Sequence, residues 1–542
     1  MQCKKVSYLK NSAFTLLFIS IIFILAGCFN NNTSSDSSVI NTDSKQNSTE
    51  SHHHKATDKS VIRVCQKDTA PESLDPIYFD NKLDEITFHI FDRLVKWDQQ
   101  GNIVPGLAEN WKQIDNKTIQ FKLRKNVLFH NGETFDANDV KFSIERLIDP
   151  KTKSPGYHLL KSINKVKIID PYTINIVTSN PDYLFLRKLT LVQILPETYF
   201  KNSGAIKFGQ NPIGTGAYKF EKWDKDKSII LKKNHNYWLK DRPIIETLVF
   251  KFIKEDDVTR KKQLDALFNG DIDLITELPG IYSLKVQKYE DTKVIKMTNQ
   301  AKVHKMLFNT LREPFSNIDI RKAVNLALNR DVLIKVLAKG NGRNIATNST
   351  KLEFGHNPNL EPYTYDPVEA KYLIKNSGLK DIHIKIAVTE ESELIAQAIQ
   401  KDLERVDIKA EYKVMTIREM AKELFNSKTD PKNNKWDYDL TIYTGVDPFM
   451  HVGFLYGMAV YSQGSWSKVN NKEVDKLYEQ LETTLDENKQ NEICQKLEEI
   501  SYNNYWYTPI FQVINTYGAT KNLQLKNSAT TFIDLTEAYY SK

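Results

Sequence analysis

The sequence predicts an α/β protein of at least two domains. Segments with strand patterns alternate with segments of helical periodicity along most of the chain, and no internal repeat is present. Roughly 480 residues follow the N-terminal region, which is more than one hydrophobic core accommodates. A hydrophobic fraction of 40% and a charged fraction of 26% are typical of a soluble globular protein.

The N-terminal half of this body carries mostly strand signals. One helix is expected at 136–148, because Asp136 is a suitable N-cap and Val140 and Ile144 share one face. The pair Asn131-Gly132 indicates a turn just before that helix. Apolar and β-forming residues predict strands at 61–65, 118–123, 165–169, 173–177, 228–232 and 247–253.

The C-terminal half shows clearer helices. A broad apolar band predicts one long helix over 320–337, with Gly340 just beyond it as a stop signal. The same amphipathic spacing predicts helices over 394–406 and 474–485. The pattern therefore describes an α/β body, and by itself it indicates no function.

The N-terminus has the parts of a secretory signal. Lysine residues precede an apolar run at 13–25, which leads into the sequence LAGC ending at Cys28. We therefore expect residues 1–27 to be removed as a lipoprotein signal peptide and Cys28 to be acylated. The run is short for a membrane span, so a single-span anchor is the weaker alternative. Lipid on Cys28 would hold the protein on the extracellular face of the cell membrane.

The composition of residues 28–59 predicts a flexible linker. Asn, Ser, Thr and Asp dominate this segment, and it has too few apolar residues to offset the entropy cost of ordering. His52, His53 and His54 lie within it and could bind a divalent transition metal. The alternative, which we favour, is a solvated patch of linker.

Several function classes have little support in the sequence. The formal net charge of +7 is spread along the chain with both signs interspersed, so we expect no nucleic-acid partner. No serine-hydrolase elbow, His-Glu-x-x-His pair, Walker loop or paired cysteine ligands are present, so we expect neither an enzyme nor a cofactor. Of the four cysteines, Cys3 lies in the signal peptide and Cys28 would carry lipid. Only Cys65 and Cys494 remain in the body, so disulfides do not build this fold.

Four blocks of sequence occur in an order and spacing that resemble a known family. The blocks are GLAENW at 106–111 with TIQFKLR at 118–124 and FHNGETFDANDV at 129–140, PIGTGAY at 212–218, NIDIRKAVN at 317–325 with Asn329 and Arg330, and YDP at 365–367 ahead of Ala370. With these blocks the chain resembles the family 5 extracellular solute-binding proteins, which are the receptors of peptide and nickel ABC importers.

The resemblance implies a two-lobed periplasmic-binding-protein fold of class II with an extra subdomain inserted in lobe I. Cys65 and Cys494 would then lie in different lobes, where a bridge would hinder closure, so we expect two separate thiols. The implied boundaries are 60–99, 211–305 and 508–542 for lobe I, 100–210 for the inserted subdomain, and 306–507 for lobe II.

The resemblance also implies a function and partners. The lobes would close around a di- or oligopeptide and deliver it unchanged to an importer with two permeases and two ATPases. The receptor itself would be a monomer, tethered to the membrane by its lipid. Receptor for nickel or another metal bound as a small chelate is the alternative function.

In the peptide branch, an aspartate of lobe II binds the ligand ammonium, and the matching stretch here is residues 438–451. Asp447 is either that partner or the Asp-Pro residue that shapes the loop. Tyr443 and Gly445 stand near the place of a tryptophan that the family carries and this chain lacks. Phe449 would line a side-chain pocket or fill the core.

His451 supports the nickel alternative. In the nickel branch, a histidine just after the Asp-Pro pair ligates the metal, whereas here Phe449 and Met450 intervene. A lone histidine is more often a packed residue than a ligand. The sequence therefore predicts a peptide receptor first and a metal-chelate receptor second.

Overall fold

The computed structural model describes residues 59–67, 71–78, 81–254, 260–429, 436–530 and 532–542. The signal peptide, Cys28, and His52, His53 and His54 lie outside the described residues, so what the sequence indicates about them stays a prediction. Within the described ranges, no helix has both the length and the apolar character needed to cross a membrane.

Strands and helices alternate through the described part of the chain. The strands are β1 (Val61–Lys67), β2 (Val95–Trp97), β3 (Ile103–Pro105), β4 (Ala108–Asp115), β5 (Thr118–Leu123), β6 (Ile163–Asp170), β7 (Thr173–Thr178), β8 (Tyr218–Asp224), β9 (Ser228–Lys233), β10 (Thr247–Ile253), β11 (Leu274–Leu278), β12 (Thr292–Met297), β13 (Lys302–Phe308), β14 (Gly342–Arg343), β15 (His383–Thr389), β16 (Lys409–Met415), β17 (Leu440–Val446), β18 (Tyr507–Val513), β19 (Asn515–Thr520), β20 (Leu523–Gln524) and β21 (Tyr539–Tyr540).

Helices connect many of these strands. The α-helices are α1 (Asn81–Ile90), α2 (Ala137–Ile148), α3 (Gly156–Leu160), α4 (Phe185–Leu189), α5 (Glu197–Gln210), α6 (Lys261–Phe268), α7 (Gly280–Val286), α8 (Ile318–Ala327), α9 (Arg330–Val336), α10 (Pro367–Asn376), α11 (Glu393–Glu404), α12 (Ile417–Thr429), α13 (Val452–Ala459), α14 (Lys472–Thr483) and α15 (Glu487–Asn504). Short 3-10 helices cover Pro76–Tyr78, Pro150–Thr152 and Glu390–Ser392.

Three sheets organise the molecule. Lobe I is built on a seven-stranded sheet of order β12-β19-β11-β1-β10-β9-β8, in which β1 runs parallel to β10 and β11. Lobe II is built on a six-stranded sheet of order β14-β18-β13-β17-β15-β16. An antiparallel sheet of order β4-β5-β7-β6 comes between β1 and β8 in the chain and forms the inserted subdomain. The residue boundaries inferred for these parts stay predictions.

Each large sheet has its own hydrophobic core. In lobe I, Val64 of β1 and Phe250 of β10 are fully buried in one cluster. In lobe II, Met306 of β13 and Ile386 of β15 are fully buried in another. A third cluster runs from Phe121 of the inserted subdomain into the helices of lobe II, so these two parts pack on each other. Separate cores are what a chain of this length requires.

Most local patterns in the sequence predicted their elements correctly. The strands expected at 118–123 and 247–253 are observed as β5 and β10. Helix α2 begins after Asp136, whose side chain accepts a hydrogen bond from Asn138 N at 2.7 Å. Asp139 completes a capping box by accepting from Asp136 N at 2.9 Å.

The single helix expected over 320–337 is wrong. The structure has two helices, α8 and α9, with Leu328 in an extended conformation between them. Asn329 caps α9, because its side chain accepts a hydrogen bond from Val332 N at 3.0 Å. The apolar spacing continues across this break, so periodicity alone could not reveal it. Gly340 has a positive φ of 79° and follows α9.

Two of the family-like sequence blocks meet at the end of α1. The ring of His130 contacts Gly216 O at 3.0 Å through Nε2 and accepts from Gly214 N at 3.3 Å through Nδ1. A Cβ atom on Gly214 would lie 2.0 Å from Ile90 O, so only glycine fits this close approach. These contacts explain why a histidine and two glycines occur in those blocks.

The chain crosses between the two large sheets twice within the described residues. Residues 298–301 connect β12 to β13, and Ile514 alone separates β18 from β19. Gln300 joins these connections, because its Oε1 accepts from Asn515 at 2.5 Å and its backbone oxygen accepts from Gln512 at 3.0 Å. The two crossings therefore lie side by side.

Cys65 and Cys494, the two cysteines of the body, are both buried, and no disulfide joins them. Cys65 lies in β1 of lobe I, and Cys494 lies in α15 on the side of lobe II. This confirms the expectation of two separate thiols. No disulfide therefore ties these two residues across the lobes.

Candidate functional site

A cavity of about 550 Å³ lies between lobe I and one loop of lobe II. Lobe I and the start of the inserted subdomain line it with residues from 88–104, 237–242 and 526–537. Lobe II lines it with residues from 446–450, the loop that follows β17. The volume is in the range of about 300–1,000 Å³ that is usual for small-ligand sites.

The cavity wall carries charges of both signs. A buried guanidinium nitrogen of Arg93 and the indole N–H of Trp97 have no hydrogen-bond partner among the described residues. Burial lowers the pKa of Arg93, and the neighbouring carboxylates oppose this change. The wall thus offers unused donors to a ligand. The charged lining residues are Asp92, Arg93, Lys96, Asp98, Arg242, Asp447, Lys526, Asp534 and Glu537.

Asp447 lies in this wall with its carboxylate turned onto its own loop. Its Oδ1 accepts from Phe449 N and its Oδ2 accepts from His451 N, both at 2.8 Å. Burial raises the pKa of this carboxyl, and the positive charges of Lys305 and Arg187 oppose the rise. Because each carboxylate oxygen has two lone pairs, these bonds leave acceptor capacity for a ligand donor.

The other residues indicated by the same stretch lie around this loop. The hydroxyl of Tyr443 is 2.5 Å from that of Tyr507, and its ring packs edge-on against Trp466. Gly445 is partly exposed, and Phe449 is fully buried. The structure places all of them within one segment of the chain, and their contact with a ligand stays a prediction.

His451 is fully buried at the start of α13. Its Nδ1 accepts from Gly453 N at 3.0 Å, and its Nε2 lies 3.4 Å from Gln490 Oε1. Burial lowers the pKa of the ring well below its usual value, so it is neutral. Both nitrogens are in use within the chain, so a metal would have to displace one of these contacts. Its role as a metal ligand stays a prediction.

Arg187 of the inserted subdomain also contacts the loop that follows β17. It lies in α4, and its Nη1 donates to Phe449 O at 2.9 Å. The guanidinium also lies 5.4 Å from the ring of Trp97 and 5.3 Å from that of Phe354. Arg187 therefore connects three parts of the chain at the edge of the cavity.

The match to a protein family decides the classification. Residues 102–466 match the family described as bacterial extracellular solute-binding proteins, family 5 Middle. The chain belongs to this family. Membership of family 5 confirms the resemblance that the sequence blocks indicated. It also agrees with the expectation of a protein that is not an enzyme, since the family is defined by solute binding.

Individual family 5 relatives share most of the chain. It is 26% identical to Di/tripeptide-binding protein 1 of Pseudomonas aeruginosa, over 81% of this chain and 87% of that protein. Periplasmic binding protein DppA of Helicobacter pylori, in complex with the peptide STSA, has a TM-score of 0.70 and 24% sequence identity to this chain. The match covers 89% of this chain and 98% of DppA. NikZ of Campylobacter jejuni, in complex with Ni(L-His), has a TM-score of 0.69 and 22% sequence identity to this chain. The match covers 88% of this chain and 98% of NikZ. These likenesses confirm the two-lobed α/β fold.

Sequence reasoning missed several residues of this family 5 site. Arg93 and Trp97 line the cavity from segments that carried no recognised ligand motif. Lys305 and Glu353 are fully or almost fully buried near Asp447. A lysine in the middle of the otherwise largely apolar strand β13 is the signal that could have indicated the first of these two. In the described part of the chain, no three His, Cys, Asp or Glu side chains are grouped closely enough to hold a metal.

Proposed function

We propose that this chain is the substrate-binding lipoprotein of an ABC importer and that its ligands are di- or oligopeptides. The observation that carries the proposal is the cavity that both lobes line with charges of both signs. A short peptide has one charged group at each end, and burying either one is costly without an opposite charge nearby. The relationship to a di/tripeptide-binding protein supports the same ligand class.

Capture follows from closure of the lobes. A peptide that contacts residues of lobe I and the loop at 446–450 at the same time favours the closed form over the open form. Asp447 takes the ligand ammonium, while Arg93 and Trp97 donate to ligand oxygens. The peptide is released unchanged to the permease when the lobes separate.

The location and partners belong to the same proposal. Acylated Cys28 holds the protein on the extracellular face of the membrane, and the linker lets a monomer reach two permease subunits with their two ATPases. A Cys28→Ala variant expressed in cells should appear in the medium and lose its radiolabelled palmitate. Retention of the variant in the membrane fraction would contradict the anchor.

Calorimetric titration of the delipidated protein tests the ligand class. The probes are Ala-Ala, a pentapeptide, and nickel with and without free histidine. We expect a peptide to bind and Asp447→Asn to weaken Ala-Ala more than N-acetyl-Ala-Ala, because only the first has an ammonium group. Asp407→Asn, which changes an exposed carboxylate, is the matched control. Tight binding of nickel-histidine alone, abolished by His451→Ala, would replace the peptide proposal by the metal-chelate alternative.

A further inference from the structure

The inserted subdomain carries most of the excess positive charge of the chain. In the whole sequence, Lys and Arg outnumber Asp and Glu by seven. Residues 100–210 contain 16 Lys and Arg but only 10 Asp and Glu, although both signs are interspersed along the chain. The excess positive charge therefore lies mainly in this one segment, and the rest of the chain is close to neutral.

Part of this excess lies on the outer face of the sheet β4-β5-β7-β6. Side chains of a strand alternate between the two faces of its sheet. The inner face is packed in the core, where Phe121 of β5 is fully buried. On the outer face, one row of paired residues runs from one edge strand to the other: Lys112, Gln120, Asn175 and Lys167. Each edge strand thus presents a lysine on the outer side.

Two further lysines lie on the same side of this sheet. Lys122 follows the row by two residues on β5, and Lys165 precedes it by two residues on β6. We refer to these two residues together with Lys112 and Lys167 as the lysine face, and all four side chains are exposed. Lys122 donates to Thr173 Oγ1 at 2.7 Å, whereas the other three lysines form no salt bridge with any described residue. Their charges are therefore available to a partner.

Three carboxylates lie near the edges of the lysine face. Asp115 Oδ1 accepts from Lys117 N and Asp170 Oδ1 accepts from Tyr172 N, both at 2.8 Å, so each is bonded to its own turn. These two turns lie at opposite corners of the sheet. Glu109 lies in a bulge of the edge strand β4. The row across the middle of the face therefore carries only positive charge.

Exposed isoleucines occur at the same two corners. Ile114 is 46% exposed beside the β4–β5 turn, and Ile169 is 55% exposed beside the β6–β7 turn. Both lie where the register of the sheet shifts. Cationic groups together with apolar side chains suit the interface of a bilayer, where the former meet headgroups and the latter enter the acyl boundary. A soluble polyanion would contact only the cationic groups.

We propose that the lysine face docks the protein on a bilayer surface that contains anionic phospholipid headgroups. This inference rests on the proposed function only for the anchor, since lipid on Cys28 keeps the body near the membrane. The segment between Cys28 and Lys59 spans at most roughly 100 Å when fully extended. Lysines close to an anionic surface each strengthen binding roughly fivefold. Docking through the inserted subdomain fixes which side of the tethered receptor faces the bilayer.

Vesicle flotation of the protein without its anchor tests this surface. The protein is residues 28–542 with Cys28→Ala. The vesicles consist of phosphatidylcholine alone or of equal parts of phosphatidylcholine and phosphatidylglycerol. We expect this protein to bind the anionic vesicles at least about tenfold more tightly than the neutral vesicles. High salt should remove the difference, because it screens exposed charges.

Matched lysine variants separate the lysine face from the net charge of the protein. Removing three of its charges should weaken binding to anionic vesicles at least about tenfold; the substitutions are Lys112→Gln, Lys165→Gln and Lys167→Gln. The control removes three exposed lysines in and just after helix α10 of lobe II and should change binding less than about twofold; its substitutions are Lys371→Gln, Lys375→Gln and Lys380→Gln. Because all six side chains are exposed, both variants should unfold at the temperature of the parent protein.

The possible failures are distinguishable from one another. Equal binding to the two kinds of vesicle, no binding to either, or an equal loss in the two lysine variants would overturn the docking surface. Tighter binding to immobilised polyphosphate than to anionic vesicles would also overturn it, because the partner would then be a soluble polyanion. None of these results affects peptide binding in solution or retention of the acylated chain in the membrane fraction. Failure of this inference therefore leaves the proposed function intact, and failure of the anchor leaves the vesicle result unchanged.

Discussion

Arg187 Nη1 donates a hydrogen bond to the backbone oxygen of Met450 at 2.7 Å and thereby joins the inserted subdomain to the loop of lobe II. Burial lowers the pKa of this guanidinium to about 10, so it stays charged at neutral pH. Met450 itself lines the cavity between the lobes. The bond therefore requires that the loop of lobe II and the inserted subdomain stay in contact, as they are in this structure.

Replacing Arg187 should weaken ligand binding through the closed form. Hydrogen bonds to charged groups contribute about 1.5–3 kcal/mol, so we expect Arg187→Ala to lower peptide affinity roughly tenfold or more. Calorimetry measures the affinity, and small-angle scattering measures how far the lobes close. Arg405→Ala, which removes an exposed arginine of lobe II, is the control and should leave both unchanged. Unaltered affinity in Arg187→Ala would show that this contact does not stabilise the closed form.

His130 should make the stability of the protein fall in acid. Burial lowers its pKa from 6.5 to about 4. At a pH between these two values the ring is mostly neutral in the folded protein and mostly protonated in the unfolded chain. The contribution of this group to stability is complete above pH 6.5 and is lost as the pH falls towards 4. Its size is on the order of 3 kcal/mol.

The pH effect of His130 can be isolated by substitution. The decrease in unfolding free energy between pH 7 and pH 4.5, measured with urea, should be smaller in His130→Gln than in wild type. Burial lowers the pKa of His304 in the same direction, so part of the decrease remains. His235→Gln changes an exposed ring and should match wild type. An equal decrease in His130→Gln would contradict the assignment.

Adding one carbon at Gly214 should destabilise lobe I. The new Cβ atom would lie 2.0 Å from Ile90 O and 2.7 Å from the ring of Phe91. Backbone atoms cannot move away cheaply, so we expect Gly214→Ala to cost about 1–3 kcal/mol or more. Gly518→Ala is a milder comparison, since its nearest contacts are side-chain atoms at 3.3 Å. Thermal unfolding of both variants measures the difference, and equal midpoints would refute the argument.

Removing the N-cap of helix α9 should lower the stability of the protein by less than Gly214→Ala does. The side chain of Asn329 accepts from Val332 N at 3.0 Å, and loss of such a cap typically costs about 0.5–2 kcal/mol. We expect Asn329→Ala to lower stability by that amount and Asn116→Ala, in an exposed turn, to change it little. Chemical denaturation of the two variants provides the comparison.

Local patterns in the sequence predicted most single elements, because the forces that form them act between near neighbours. The alternation in β5 and the N-cap at Asp136 are examples, since each depends only on residues within one strand or one helical turn. The break at Leu328 was missed, because an apolar residue there continues the helical spacing while its backbone is extended. Whether Asn329 caps a new helix or continues the preceding one depends on the packing around it.

The site was harder to predict, because its parts are distant in the sequence. Residues from 88–104, 237–242, 446–450 and 526–537 meet only in the folded chain. The resemblance indicated Asp447 as a ligand residue or a loop-shaping residue, and its contact with a ligand stays a prediction. It could not indicate that both carboxylate oxygens bond to the loop. Unused hydrogen-bonding atoms, such as Nζ of Lys305, become visible only once every partner in the fold is known.

The short connections between the two large sheets limit how the lobes can move. Ile514 and residues 298–301 cross side by side, and Gln300 bonds to the strand end on either side of Ile514. Neighbouring pivots allow rotation about one axis and oppose twisting about any other. A single pair of spin labels, one on each lobe, would then report the whole trajectory of opening as one coordinate.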